Sequence, residues 1–235
     1  MHVPDGFFDA PTSVATGVVA AAGVGLALWR ARGTLDDRVA PLAGLVAVFV
    51  FAGQMLNFPV GAGTSGHLLG GVLAAVLVGP WVATLCITVV ILVQALVFAD
   101  GGLSAIGSNV TLMALVAVWA GWLVFVGLRA LLPRSLASVP VAAAVAALAS
   151  VPVTALAFVA IYTVGGQAPI EVGTLTTAML GWHAVIGIGE AAITFLAVTS
   201  IIATRPDLVH GAGPARRAAA ADRQSQHNPA TEVTA

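Results

Sequence analysis

The first two residues, Met1-His2, carry three nitrogen atoms that could chelate one metal ion. These atoms are the terminal amine, the His2 amide and the His2 Nδ1, and binding through all three closes a five-membered and then a six-membered ring. The three nitrogens then share a plane, a tetragonal geometry that suits Cu(II) or Ni(II), with Co(II) as a further candidate. The alternative for His2 is an ordinary frayed terminus.

His67 is a second candidate ligand, because imidazole is the commonest metal-binding side chain. It follows the glycine-rich stretch 61–66 at the predicted mouth of an apolar segment. Gly66 and Gly70 have GxxxG spacing, which lets another backbone approach closely. The competing interpretation is a histidine that caps a helix at the membrane boundary.

Four further polar residues lie at predicted helix ends near these histidines, where each could hydrogen-bond a ligand imidazole or simply cap its helix. They are Asn57, Thr64, Ser65 and Asn109. His183 and Glu190 are seven residues apart and share one helix face. For this pair an interhelical hydrogen bond is favoured over a polar relay or a contact with another subunit.

The elements that must position these residues are transmembrane helices. Of 235 residues 59% are hydrophobic and only 8% are charged, the mean hydropathy is +1.02, and soluble domains carry roughly 25% charged residues. An all-α, multi-pass protein of the plasma membrane is therefore predicted. The seven apolar segments run over 12–29, 39–56, 67–79, 81–98, 106–132, 137–164 and 174–203.

Arginine placement predicts the orientation of these segments. All nine arginines fall in the first break, in or just before the fifth break, and after residue 204. Excess arginine marks cytoplasmic loops. The first and fifth breaks lie on the same side of the membrane only if an even number of segments crosses it between them, so 67–79 and 81–98 must cross separately. Gly79-Pro80 is then a true turn, and the third helix is short, tilted or half buried. The N-terminus is then outside and the C-terminus cytoplasmic. We expect a membrane domain over 1–204 and a disordered cytoplasmic tail over 205–235.

Two absences narrow the function. The chain contains no lysine, so it has no P-loop, and any ATP hydrolysis belongs to other subunits. Residues 1–9 lack the positive charge that opens a secretory signal peptide, so we expect Met1 to remain at the start of the mature chain. Neither a resident cofactor nor a nucleic-acid partner is predicted.

Four motifs in order resemble the cobalt- and nickel-binding S component (CbiM/NikM family) of energy-coupling factor (ECF) ABC transporters. They are MHVPDGF at 1–7, Asn57-Phe58-Pro59 leading into GTSGH at 63–67, the stretch from Gln94 to Asp100-Gly101-Gly102, and HAVIGIGE at 183–190. The resemblance covers nearly all of residues 1–200. Position 3 is Val where the family usually has Ile.

This resemblance implies a bundle of about seven transmembrane helices with the N-terminal loop inserted into it. It also implies that Met1, His2 and His67 hold Co²⁺ or Ni²⁺ as the transported ion. The implied partners are a transmembrane coupling (T) subunit, ABC ATPase subunits, a small accessory membrane subunit and the lipid bilayer. Both metals stay open, with a slight preference for cobalt and a link to cobalamin biosynthesis on family grounds.

Two other functions compete with metal transport. Gly63-Thr64-Ser65-Gly66 resembles the GxSG motif of rhomboid-like intramembrane proteases, with Ser65 as nucleophile and His183 as base, provided that the two are in hydrogen-bond contact. That interpretation leaves His2 unexplained. A stand-alone secondary permease is the third option, and the lack of a clear inverted repeat argues against it.

Overall fold

The computed structural model describes residues 2–61 and 64–227, and helices dominate it. Each predicted apolar segment corresponds to a helix, and five helical runs are long and apolar enough to cross a membrane. These five are α1 (Ala10–Ala31), α4 (Pro80–Val97), the run Ile106–Leu131, α7 (Ser138–Gly165) and α8 (Val172–Thr204). The run Ile106–Leu131 consists of α5 (Ile106–Asn109), a π-helical stretch (Val110–Ala117) and α6 (Val118–Leu131).

The two remaining apolar helices are shorter, as predicted for the third segment. Helix α2 spans Val39–Gln54 and α3 spans Gly71–Val78, and all eight residues of α3 are buried. Gly70 and Gly79 bracket α3 with φ of 71° and 84°, values that glycine adopts at little cost. Pro80 then opens α4, a position where its missing N–H costs no helical hydrogen bond. Helix α3 is therefore an internal helix that the longer helices surround.

The break between α2 and α3 contains a β-hairpin, where the sequence indicated only a glycine-rich loop. Strand β1 (Phe58–Gly61) pairs antiparallel with β2 (Thr64–Gly66), with Phe58 opposite Gly66 and Pro59 opposite Ser65. The hairpin ends one residue before His67. It therefore fixes the direction from which His67 enters the bundle.

Helix α1 packs closely against the start of the run Ile106–Leu131. A Cβ atom on Gly107 would lie 2.4 Å from the Gly17 Cα, so this contact requires glycine. The Thr16 and Ser108 hydroxyls are 2.8 Å apart, and the Thr111 hydroxyl donates to the Thr16 carbonyl at 2.9 Å. These bonds hold the helix that follows the N-terminal segment against the helix that carries Asn109.

The chain after residue 204 differs from the disordered tail that the sequence predicted. Pro206–Leu208 and His210–Ala212 form 3₁₀ turns, and α9 spans Gly213–His227. Val209 and Ala212 are fully buried, and a Cβ on Gly211 would lie 2.7 Å from the Phe125 Cζ. The expectation of disorder was therefore wrong for 206–212, because two apolar residues and a glycine dock this segment in an otherwise polar stretch. Residues 228–235 lie outside the described part of the chain.

His210 is exposed to solvent, and one side of its ring also contacts the bundle. Its ring centroid lies 5.7 Å from that of Trp122, and a Cβ on Gly79 would meet the His210 ring at 3.2 Å. The tail thus packs across the turn between α3 and α4.

Candidate metal centre

The N-terminal segment inserts between helices and is held there by its backbone. The Val3 N–H donates to the Asn109 Oδ1 at 2.8 Å, and the Asn109 Nδ2 donates back to the Val3 carbonyl at 3.2 Å. The Gly102 N–H donates to the same carbonyl at 2.9 Å. Val3 is completely buried. These bonds fix the residue directly after His2.

Further contacts anchor the rest of the segment as far as α1. The Asp5 Oδ1 accepts from the Ser104 hydroxyl at 2.6 Å and from the Ser104 N–H at 2.7 Å. These bonds hold the pKa of the Asp5 carboxyl below its usual value. Phe7 and Phe8 are buried against Phe158. The N-terminal loop is thus docked in the bundle.

His2 is buried, with 7% of its surface exposed. Its Nε2 lies 3.1 Å from the Gln94 Oε1. Because that oxygen only accepts, Nε2 carries the proton and Nδ1 carries a lone pair. Burial lowers the pKa of His2 to about 4, against smaller opposing effects of Asp100 and Gln94. The ring is therefore neutral at physiological pH, with Nδ1 available as the ligand that the chelate requires.

A carboxylate lies beside this free nitrogen. The Asp100 Oδ1 is 3.2 Å from the His2 Nδ1, and the Asp100 Oδ2 accepts from the Asn57 Nδ2 at 3.1 Å. The His2 Nδ1 itself has no hydrogen-bond partner. A lone pair and a negative charge therefore face each other, an arrangement that a cation between or beside them would stabilise.

His67 offers the complementary nitrogen. It is fully buried, and its Nδ1 lies 2.7 Å from the Leu68 carbonyl oxygen, so Nδ1 carries the proton. The Nε2 lone pair is buried without a partner. A ligand histidine usually donates its second N–H to a carbonyl in this way.

The two rings are adjacent, with centroids 4.5 Å apart and an angle of 29° between their planes. Within residues 2–61 and 64–227, no three His, Cys, Asp or Glu side chains form a metal-binding group. Two imidazoles alone make a weak site, so further donors must come from elsewhere. Met1, whose amine the sequence nominated, lies outside the described residues.

Glu190 holds the short segment between His67 and α3. Its carboxylate accepts from the Leu69 N–H at 2.7 Å and from the Gly70 N–H at 2.5 Å. From the other side the Gln54 Nε2 donates to the Leu69 carbonyl at 2.7 Å. Glu190 is 3% exposed. The interhelical bond expected of Glu190 is thus a bond to the backbone two and three residues after His67.

The four polar residues nominated near the histidines have other roles where their side chains are described. Asn109 binds the Val3 backbone, and Asn57 binds Asp100 rather than a ligand imidazole. Ser65 lies opposite Pro59 in the hairpin, and Thr64 lies opposite Gly61. Asn57 and Asn109 therefore support the N-terminal loop and its neighbouring carboxylate.

Gln94 is a hydrogen-bond partner of His2 that was not predicted from the sequence. An amide buried in α4 is a detectable signal, because polar side chains in transmembrane helices face the bundle interior. Gln54 in α2 carries the same signal and is also completely buried.

The rhomboid-like alternative is contradicted by the position of His183. Its Nδ1 lies 2.7 Å from the Met179 carbonyl oxygen, and its Nε2 has no hydrogen-bond partner. A Ser–His pair requires hydrogen-bond contact, and neither nitrogen of His183 contacts Ser65. The protease interpretation is therefore wrong.

The fold and this imidazole pair define a multi-pass membrane protein with a buried candidate site for a transition-metal ion. The comparisons with known proteins agree. Residues 2–208 match the family model described as "Cobalt uptake substrate-specific transmembrane region". The chain belongs to this family.

Relatives and solved structures carry the same type of name. A metal transport protein of Haloquadratum walsbyi is 42% identical, with 89% of this chain and 93% of that protein covered. A cobalt transport protein of Sorangium cellulosum is 34% identical, with 79% and 83% covered. A fused nickel transport protein of Rhodobacter capsulatus is 39% identical over 49% of this chain and 33% of its own length. A crystal structure of a truncated transition metal transporter superposes with a TM-score of 0.80 at 27% identity, covering 86% of this chain and 98% of that chain.

Proposed function

We propose that this chain is the substrate-binding membrane component of an ECF-type ABC importer for Co²⁺ or Ni²⁺. The ion is bound by the Met1 amine, the His2 amide and Nδ1, and the His67 Nε2. The observation that carries the proposal is the adjacent pair of buried imidazole rings. In each ring the nitrogen that is not a proposed ligand, His2 Nε2 or His67 Nδ1, is hydrogen-bonded to a protein oxygen.

The ligand set explains why the N-terminal loop is docked so firmly. His2 Nδ1 becomes part of a planar chelate only if the backbone at positions 1–3 is fixed, and Asn109 and Gly102 fix Val3. His67 then supplies the remaining in-plane position. Four nitrogens in a plane suit Ni²⁺, and the same donors bind Co²⁺.

Because the site is buried, the ion needs a movement of the protein to enter and leave it. The His2 and His67 rings are 7% and 0% exposed, so an ion enters or leaves only when the N-terminal loop moves. Such loop motions gate many binding sites. The driving force comes from partner ATPase subunits acting through a coupling membrane subunit, because the chain has no lysine and hence no P-loop of its own. The ion approaches from the expected outer face.

Two glycines added ahead of Met1 test the ligand set. The extension converts the Met1 amine into an amide and makes the His2 imidazole part of the fourth residue, so the planar chelate is lost. One glycine would not suffice, because an amine, two amides and a histidine third in the chain form a planar Ni²⁺ chelate of their own. We expect the affinity for Ni²⁺ or Co²⁺, measured by titration of purified protein in detergent, to fall by at least about 100-fold, as loss of a metal ligand exceeds the 10- to 100-fold effect of outer contacts.

The matched control carries the same two glycines after Ala235. It keeps the Met1 amine in place and should bind metal like the unmodified chain. Unchanged affinity in the N-terminally extended protein would show that the amine is not a ligand, and the proposal would fail.

A further inference from the structure

A cavity lies at the opposite end of the bundle from the imidazole pair. Its volume is about 540 Å³, and helix α2 runs from Val39 on its wall to Gln54 beside the metal centre. Four arginines from three separate parts of the chain line it: Arg38 before α2, Arg129 in α6, and Arg216 and Arg217 in α9. The docking of residues 206–212 brings α9 to this position.

The two carboxylates that line the cavity, Asp36 and Asp207, neutralise only part of the positive charge of its four arginines. Asp207 is engaged by Arg205 at 2.7 and 2.9 Å, and Arg205 does not line the cavity. The Asp36 carboxylate accepts hydrogen bonds from the backbone N–H groups of Arg38 and Val39 at the start of α2. Among the side chains that the structure describes, Arg205–Asp207 is the only arginine–carboxylate ion pair. None of the four cavity arginines is therefore paired with a carboxylate.

One arginine also has an unsatisfied donor. The Arg129 Nη1 donates to the Pro133 carbonyl at 3.3 Å and to the Ser138 hydroxyl. The Arg129 Nε is buried without a partner. Buried polar groups in native proteins are usually hydrogen-bonded, so an acceptor is missing at this position.

The rest of the wall is apolar and lies at the predicted membrane boundary. Leu42, Leu77, Phe125 and Val126 line the cavity, and 46% of Val126 is exposed on the outer surface of the bundle. At the same end of the bundle, the Arg30 guanidinium lies over the rings of Trp29 and Trp81. Tryptophan and arginine concentrate where helices meet the lipid headgroups.

We propose that this cavity binds the headgroup of one anionic phospholipid. Guanidinium groups bind phosphate oxygens through two parallel hydrogen bonds, and basic pockets between membrane helices bind such headgroups. The phosphate lies among Arg38, Arg129 and Arg217, and the acyl chains leave over Val126 onto the apolar surface of α6. The bound lipid joins α9 to the helical bundle. This inference does not depend on the metal that the other end binds.

Native mass spectrometry of the full chain released from detergent tests the proposal, with phosphatidylglycerol and phosphatidylcholine added at equal concentration. We expect one phosphatidylglycerol to be retained in preference to phosphatidylcholine. Arg38→Gln and Arg217→Gln should each reduce this retention by about tenfold or more, the effect of losing a hydrogen bond to a charged group. Arg32→Gln is the matched control, because Arg32 is exposed in the same break but does not line the cavity.

Metal binding should stay unchanged in all three variants, which shows that each one is folded. Equal retention of the two lipids, or equal effects of Arg38→Gln and Arg32→Gln, would overturn the proposal. Displacement of the lipid by inorganic phosphate at millimolar concentration would assign the cavity to a soluble anion and overturn the lipid assignment. Loss of a co-purifying protein partner in Arg38→Gln with unchanged lipid retention would assign it to a protein contact, which also overturns the proposal.

Discussion

Replacing Gln94 with leucine should weaken metal binding although Gln94 is not a ligand. The Gln94 Oε1 accepts the proton on His2 Nε2 at 3.1 Å, and this bond keeps the Nδ1 lone pair available for the ion. The leucine removes the acceptor and leaves a buried N–H without a partner, at a cost of about 1–3 kcal/mol. At 1.4 kcal/mol per factor of ten, the dissociation constant for Ni²⁺ or Co²⁺ should rise by about 5- to 140-fold.

Two further variants separate this effect from a loss of packing. Gln94→Glu keeps an acceptor at the same position, and the Gln94 Nε2 that it replaces has no partner, so binding should be retained or strengthened. Thr88→Val is the matched control, because Thr88 is a buried polar residue of the same helix that donates only to the Thr84 carbonyl. The assay is metal titration of untagged protein in detergent. Equal affinities for Gln94→Leu and Thr88→Val would refute the assigned role of Gln94.

Two other predictions concern the segments that carry the ligands. Glu190→Gln replaces one of the two acceptors for the Leu69 and Gly70 N–H groups with a donor, so metal affinity should fall roughly 10- to 100-fold. The control Thr194→Val, one turn further along α8, should change the metal affinity little. Equal metal affinities of the two variants would contradict this role of Glu190. The pKa of His2 is about 4 when the N-terminal loop is docked, against an ordinary value of 6.5. Protonation of His2 therefore favours the undocked loop. The contribution of His2 to docking is fully present above about pH 7 and is lost progressively as the pH falls toward 4. Between pH 7.5 and pH 5 the opening equilibrium of the metal-free loop should rise roughly thirtyfold, measured by hydrogen exchange at residues 3–9 after correction for intrinsic rates; constant protection would contradict the low pKa.

The helical architecture could be predicted from the sequence because each transmembrane segment signals itself locally. Long apolar runs and their breaks define the helices, and the arginine distribution showed that α3 and α4 are separate although α3 is only eight residues long. The hairpin before His67 was missed, because seven residues rich in glycine carry no apolar alternation. The docked tail was missed because two buried residues, Val209 and Ala212, do not change the polar average of the stretch.

The candidate site was predictable to the level of residue type but not of hydrogen bonds. His2 and His67 were nominated from chelate chemistry and from the family motifs, and the structure brings their rings together. Gln94 and Glu190 act through contacts with residues far away in the chain, 92 positions for the His2 bond and 121 for the Leu69 bond. Such pairings depend on how the helices pack, and one sequence does not specify them.

The most direct test of the central claim is the metal content and visible spectrum of untagged protein. If the amine, amide and imidazole of the first two residues join the His67 imidazole around the ion, the protein should bind one Ni²⁺ per chain and show the absorption of a square-planar Ni(II) site. A six-coordinate spectrum, or binding that persists with His67→Ala, would contradict this ligand set.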